Sequence, residues 1–325
     1  MTAILSSEQI IGLGKQSAKG VPQTTPAVFI KYLEGSFTTE MDTNALREGG
    51  DDEQIGVVNK NMHREKFAFK ANARPQLVNY ILAWLLGGEI VTGAGDPFTH
   101  TITRTANGRP YLTIRRGLTT GKLQQLEDCK IEKVTIEGEA GKEITISVEG
   151  SGLTANILGT LDVPTFEATQ IFMFYDGKDK FILDSGVTKC IKQFTIDITV
   201  VSQEGLQGDE VTMKDLQDLK LDIEVSATLW NEGSANWQDA NYNGQTSIQE
   251  DLKSSNFIVD LLYTESVTDD RGFKITIAEF VWNPVDLPPN AEPNVNEETI
   301  AGIAIRPSAG DIVEVVVKNS IGTSV

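Results

Sequence analysis

The feature that most constrains this chain is a two-residue alternation of apolar and polar positions, repeated in short segments bounded by Gly, Pro, Asn or Asp. That period belongs to strands with one buried and one wet face, so the fold class is mainly β. The clearest case runs from Cys129 to Gly150. One strand carries Ile131, Val134 and Ile136 inward, the segment from Gly138 to Gly141 turns, and Ile144, Ile146 and Val148 return on the same face. Glu143, Thr145, Ser147 and Glu149 share the opposite face.

One segment breaks the alternation. Leu77, Tyr80, Ile81, Trp84 and Leu85 follow helical spacing, opened by Pro75 and stopped by Gly87-Gly88, which predicts an amphipathic helix packed on a sheet.

The order of features then repeats. A strand from Val28 to Met41 leads through a polar loop, Asp42 to Asn61, into a strand from Glu65 to Asn72, the helix, a strand from Tyr111 to Arg115 and the hairpin. Further on, Lys189 to Val201 leads through a loop, Ser202 to Asp218, into Leu219 to Trp230 and a weaker helical stretch, Ser234 to Tyr242. Strands follow at Phe257 to Tyr263, Phe273 to Trp282 and Ile312 to Lys318. A repeated order at low residue identity predicts a tandem duplication, joined through Gly150 to Ala168. The expected division is an N-terminal arm over 1–27, a first domain over 28–155 and a second over 156–325. With 325 residues, each domain is long enough to bury a core of its own.

Charge narrows the partners. The net charge is −18, which repels nucleic-acid phosphates and disfavours ordinary DNA binding. Residues 1–150 hold 17 Lys/Arg against 18 Asp/Glu, whereas residues 151–325 hold 11 against 28, so the second half carries nearly all of the excess. The longest apolar run, Tyr80 to Leu86, is far short of the roughly 20 residues of a spanning helix, and no secretory leader is recognisable, so no membrane partner and synthesis in a cytoplasm are expected.

Catalytic chemistry is hard to assemble from these residues, and an enzyme is not expected. His63 and His100 lie in no metal-ligand spacing; His63 reads as a solvated loop residue and His100 as a surface or hydrogen-bonded strand residue. Cys129 and Cys190 form no CxxC pair and read as buried free thiols. Gly12-Leu13-Gly14-Lys15 lacks the rest of a phosphate loop and reads as part of a flexible arm. Asp51-Asp52 and Asp269-Asp270 lack the twelve-residue ligand pattern of a calcium loop. No metal and no cofactor are expected.

Several stretches taken in order resemble the major tail tube proteins of long-tailed, non-contractile phages. They are the arm from Gly14-Lys15 through Gly20-Val21-Pro22 to Phe29, and the loop element Leu46-Arg47-Glu48-Gly49-Gly50. The helix ending Leu85-Leu86-Gly87-Gly88, the strand Phe98-Thr99-His100-Thr101 and the hairpin opening Cys129-Lys130-Ile131 follow. The resemblance covers about the first 155 residues; in the second half Phe194-Thr195-Ile196-Asp197 echoes Val134-Thr135-Ile136-Glu137. It implies β-sandwich domains with a flanking helix, whose inner sheets join around a ring into a barrel. It also implies a virion protein that assembles with itself, meets tape-measure, terminator and baseplate or tip proteins, and lets DNA pass without specific binding. Because single-copy relatives form hexameric rings, a duplicated chain is expected to close as a trimer.

The resemblance places ring stacking on the loop holding Arg47, Glu48, Asp51, Asp52 and Glu53, and it gives the acidic balance a use. Strand alternation sets Asp222 and Glu224 opposite Leu221, Ile223 and Val225, so these carboxylates are expected on a wet face, with the lumen favoured. Competing readings are a head decoration protein, a contractile-type tube, or a carbohydrate-binding β-sandwich using Trp230, Trp237 and Tyr242.

Overall fold

The computed structural model describes residues 9–46, 57–105, 108–119, 121–177, 181–183, 187–188, 190–205, 215–230, 235–264, 270–285 and 297–325. The chain is mainly β, and its strand ladders are antiparallel. In the first half β1 (Ile11–Lys15) and β2 (Val28–Ile30) precede a long hairpin of β3 (Tyr32–Leu46) and β4 (Val57–Asn72). Helix α1 (Pro75–Leu86), β5 (Gly87–Thr92), β6 (Phe98–Arg104), β7 (Leu112–Thr119), β8 (Lys122–Glu139), β9 (Thr145–Gly152) and β10 (Thr154–Leu158) follow. The second half has two short strands, β11 (Phe181–Leu183) and β12 (Val187–Thr188), then the hairpin of β13 (Ile191–Gly205) and β14 (Asp215–Trp230). It continues with α2 (Ala235–Tyr242), β15 (Ser254–Thr264), β16 (Asp270–Trp282), β17 (Glu297–Ala304) and β18 (Val313–Asn319).

The ladders of the two halves match in order and register. Both hairpins break register twice, at Tyr32/Glu34 and Asp42/Thr43 in one and at Ile191/Gln193 and Val201/Ser202 in the other. Strand β4 pairs with β9, setting Phe67 opposite Gly150; β14 pairs with β17, setting Val225 opposite Gly302. The corresponding pairs β8–β9 and β16–β17 set Ile131 opposite Gly150 and Trp282 opposite Gly302. Both glycines are forced by close approach: a Cβ at Gly150 would lie 2.2 Å from the Lys130 carbonyl oxygen, and one at Gly302 would lie 2.1 Å from that of Val281.

Two ladders cross between halves. Strand β8 pairs with β13 from Lys133↔Thr199 to Glu139↔Gln193, giving one sheet in the order β3–β4–β9–β8–β13–β14–β17. Strand β18 pairs with β6 in the opposite layer. One apolar cluster therefore runs through both halves, from Phe67, Ile81 and Trp84 to Phe194, Phe273 and Trp282. The buried apolar residues of both halves join because two ladders cross between them.

Helix α1 begins at Pro75, as its sequence predicts, and ends at Gly87 with φ 85° in the left-handed region. Its first amides Gln76 and Leu77 donate to the Glu167 carboxylate at 2.9 and 3.1 Å, so a side chain from a distant loop supplies the cap. Burial differs from the one-sided pattern expected: only Gln76 and Tyr80 of the helix escape full burial, because sheet residues from both halves surround it.

Other expectations are corrected. Asp42–Leu46 and Val57–Asn61 are strand, not loop, and the same holds for Ser202–Gly205 and Asp215–Asp218. Before its arm, β3 is an edge strand with little to bury: Leu33, Glu34, Gly35, Ser36, Thr38, Thr39 and Met41 are all exposed. Within the expected N-terminal arm, β1 is an internal strand between β2 and β7, with Ile11 and Leu13 buried. The expected join contributes β10, which pairs with β8.

Candidate assembly surfaces

The outer face of the long sheet is wet and laced by ion pairs. From one edge to the other, Glu40 meets Arg64 and Lys66, Lys70 meets Glu137, Lys133 meets Asp197, Lys220 meets Asp222, and Lys192 meets Glu297, at separations of 2.5–3.5 Å. Asp222 and Glu224 lie on this face, with Ile223 and Val225 buried behind them. Their surroundings differ. Lys220 Nζ sits 2.6 Å from Asp222, whereas Glu224 and Glu149 have no ion-pair partner among the described residues. The face is therefore less negative than its carboxylates alone suggest. Glu40 is held below the ordinary carboxylate range by hydrogen bonds from Lys66 and Arg64.

The arm of β13–β14 is pinned to the first half by a buried charge cluster. Arg109, from the turn before β7, donates from Nε and Nη2 to both Asp218 oxygens at 3.0 and 2.7 Å, and from Nη2 to Ser202 Oγ at 3.0 Å. It also donates to the Ile131 carbonyl. Lys130 reaches the Leu216 carbonyl at 2.5 Å and Asp218 at 3.3 Å, and Tyr111 donates its hydroxyl to Asp215. Burial pushes the Asp218 carboxyl up, but the hydrogen bonds and charge of Arg109, then those of Lys130, outweigh it and hold the group below its usual value. Lys130 is pushed down by burial, with Asp218 opposing and Arg109 adding to the shift. One carboxylate thus carries two cations. Beside the cluster Leu216 packs on Leu153, and both are buried.

A second polar cluster ties down the C-terminal segment. His100, fully buried on β6, faces Glu89 Oε1 at 2.7 Å and the Ile321 carbonyl at 2.7 Å; Asn79 of α1 donates to Glu89 at 3.1 Å; and the Val325 amide donates to Glu89 Oε2 at 2.6 Å. The sequence offers no local sign of this contact, because Glu89 and Ile321 lie far apart in the chain.

Of the other residues singled out in the sequence, Arg47, Glu48, Asp51, Asp52 and Glu53 lie outside the described residues. His63 is not a free loop residue: its Nε2 is 2.9 Å from Glu65, and its side chain is largely covered. Cys129 is buried, but Cys190 is exposed. Trp237 contacts Tyr242 with centroids 5.3 Å apart and packs on the core, while Trp230 stands exposed at the end of β14. Among the described residues no group of three or more His, Cys, Asp and Glu is placed to hold a metal ion, and no helix is long and apolar enough to cross a membrane.

The sheet also has an unpaired end, since β3 has β4 on one side and no partner on the other among the described strands. Compared with known proteins, the chain matches no protein-family model and no curated protein sequence.

Proposed function

We propose that this chain is a structural, self-assembling virion protein that forms the hollow tail tube of a long-tailed phage, through which DNA passes. The observation that carries this reading is the β8–β13 ladder, which fuses two similarly built half-sheets edge to edge while β3 has no outer partner among the described strands. An exposed strand of 15 residues is an aggregation hazard unless a defined partner covers it, and ring closure supplies that partner.

In this reading the halves are tandem copies of one β-sandwich unit with a flanking helix, so three chains build a ring of pseudo-sixfold symmetry. The tip of the β3–β4 arm, with Arg47, Glu48, Asp51, Asp52 and Glu53, bridges successive rings. The wet face bearing Asp222 and Glu224 lines the channel, where like charge acts on the DNA over a Debye length of about 8 Å at physiological salt. Tape-measure, terminator and tip proteins are the further partners, and the virion is the place of action. The absence of a named nucleophile and base favours this over an enzyme.

Electron microscopy of the purified chain tests the proposal: stacked hollow rings of three subunits are expected, and six chains per ring or a dispersed monomer at all concentrations refutes it. Deleting Glu48–Gln54 is expected to leave a folded subunit that no longer stacks, and normal tubes from that variant refute the role of the tip.

A further inference from the structure

Resting on that assembly reading, the matched registers say more about where copies meet. Leu216 of the β13–β14 arm packs on Leu153 of the first half, and Val200 of β13 and Ser151 of β9 are buried as well, each of the four no more than 3% exposed. Each has a counterpart at the same register position in the other half. Met41↔His63 and Ala45↔Val58 correspond to Val200↔Leu221 and Glu204↔Leu216, so Met41 and Val58 stand where Val200 and Leu216 stand. Lys130↔Ser151 corresponds to Val281↔Ile303, which places Ile303 at the position of Ser151 and Ile305 at that of Leu153. Each amide still bonds back to the neighbouring strand, Leu153 to the Glu127 carbonyl of β8 and Ile305 to the Glu279 carbonyl of β16, one residue apart in the matched numbering.

Burial is reversed in the second set. Met41 is 57% exposed, Val58 61%, Ile303 52% and Ile305 39%. Apolar side chains stand in water at each position whose counterpart is sealed. We infer that the β3–β4 arm of one copy lies on the second half of a neighbouring copy, with Val58 packing on Ile305 as Leu216 packs on Leu153 within the chain.

Charge supports a second copy as the occupant. On the wet face Arg64 and Lys66 of β4, both paired with Glu40, stand at the register positions of Asp222 and Glu224 of β14, so cations on one strand answer carboxylates on the other. The contact is head to tail, because it joins two different surfaces, and such contacts close a ring or continue as a filament. Pro284 follows closely after Trp282, where β8 by contrast runs on past Ile131 to meet β13. A proline cannot donate to a ladder, so the apolar arm contact takes a larger share of this junction than of the internal one.

The test uses full-length protein carrying Cys190→Ser. Val58→Cys chains are mixed with Ile305→Cys chains and treated with a short bis-maleimide, and a Leu153→Cys/Leu216→Cys chain serves as the internal reference, cross-linking within itself. Covalent dimers are expected in the mixture and not from either variant alone. Dimers from Val58→Cys chains alone refute the head-to-tail contact. Assemblies that form without any cross-link in the mixture refute the arm contact while leaving assembly intact. A chain that stays monomeric at every concentration overturns both. Val58→Asp gives a second reading: the folded monomer is expected to melt as the parent does, with association weakened about tenfold or more, as loss of one buried valine-sized contact implies. Unchanged association refutes the inference.

Discussion

Replacing Asp218 with Asn removes one charge and keeps the shape. The side chains of Arg109 and Lys130 are 3% and 7% exposed, so both cations would remain in a poorly hydrated place without the carboxylate they both contact. At 2.7 and 3.3 Å, and with an effective dielectric of about 20, each attraction is roughly 5–6 kcal/mol before desolvation is charged against it. Breaking such a buried arrangement by removing one partner costs about 3–5 kcal/mol. At about 2 °C per kcal/mol, the lower end of the usual range, the melting midpoint should fall by about 6–10 °C. Hydrogen exchange should locate the loss at the amides around Ser202 and from Leu216 to Lys220.

The pH dependence has a fixed sign. Asp218 is held low in the folded state, so its stabilising contribution is complete above the unfolded carboxylate value of about 3.9 and fades as pH falls through the lower folded value. The gap between parent and variant should therefore narrow on acidification below that value. Denaturant unfolding at pH 7 and in acid decides the matter. A loss under about 1 kcal/mol at pH 7, typical of an exposed pair, or a gap that widens in acid, refutes the reasoning.

Gly150→Ala and Gly302→Ala should each destabilise by about 1–3 kcal/mol in chemical denaturation, because each new Cβ meets a backbone oxygen that cannot turn away. A neutral result at either position contradicts the matched registers. His100→Ala leaves the buried Glu89 short of a partner, at a cost of about 1–3 kcal/mol, and should expose the segment from Asn319 to Val325 to proteolysis; unchanged cleavage there refutes the latch. Asp222→Lys with Glu224→Lys should change stability by about 0.5 kcal/mol or less, since both face water. Virions built from that double variant should eject DNA slowly, with a defect that weakens as salt rises; normal ejection at low salt removes these residues from the channel.

Local pattern by itself determined the mainly β class, the β8–β9 hairpin with Ile131, Val134, Ile136, Ile146 and Val148 inward, the start and stop of α1, and the wet placement of Asp222 and Glu224. Each depends on neighbours within a few residues, where strand and helix periods are written directly. The β13–β14 arm was illegible for a physical reason: Leu216 is buried against Leu153 and Asp218 is held by Arg109 and Lys130, contacts with distant residues that no local alternation records. Strand β17 was missed as well. Only the tertiary structure decided that β8 meets β13 and β6 meets β18, that Glu89 finds His100 and the C-terminal segment, and that Arg109 and Lys130 converge on Asp218. These contacts join residues far apart in the chain, and which distant edges and charges meet is settled by burying one shared core, a condition on the whole molecule that no local period expresses.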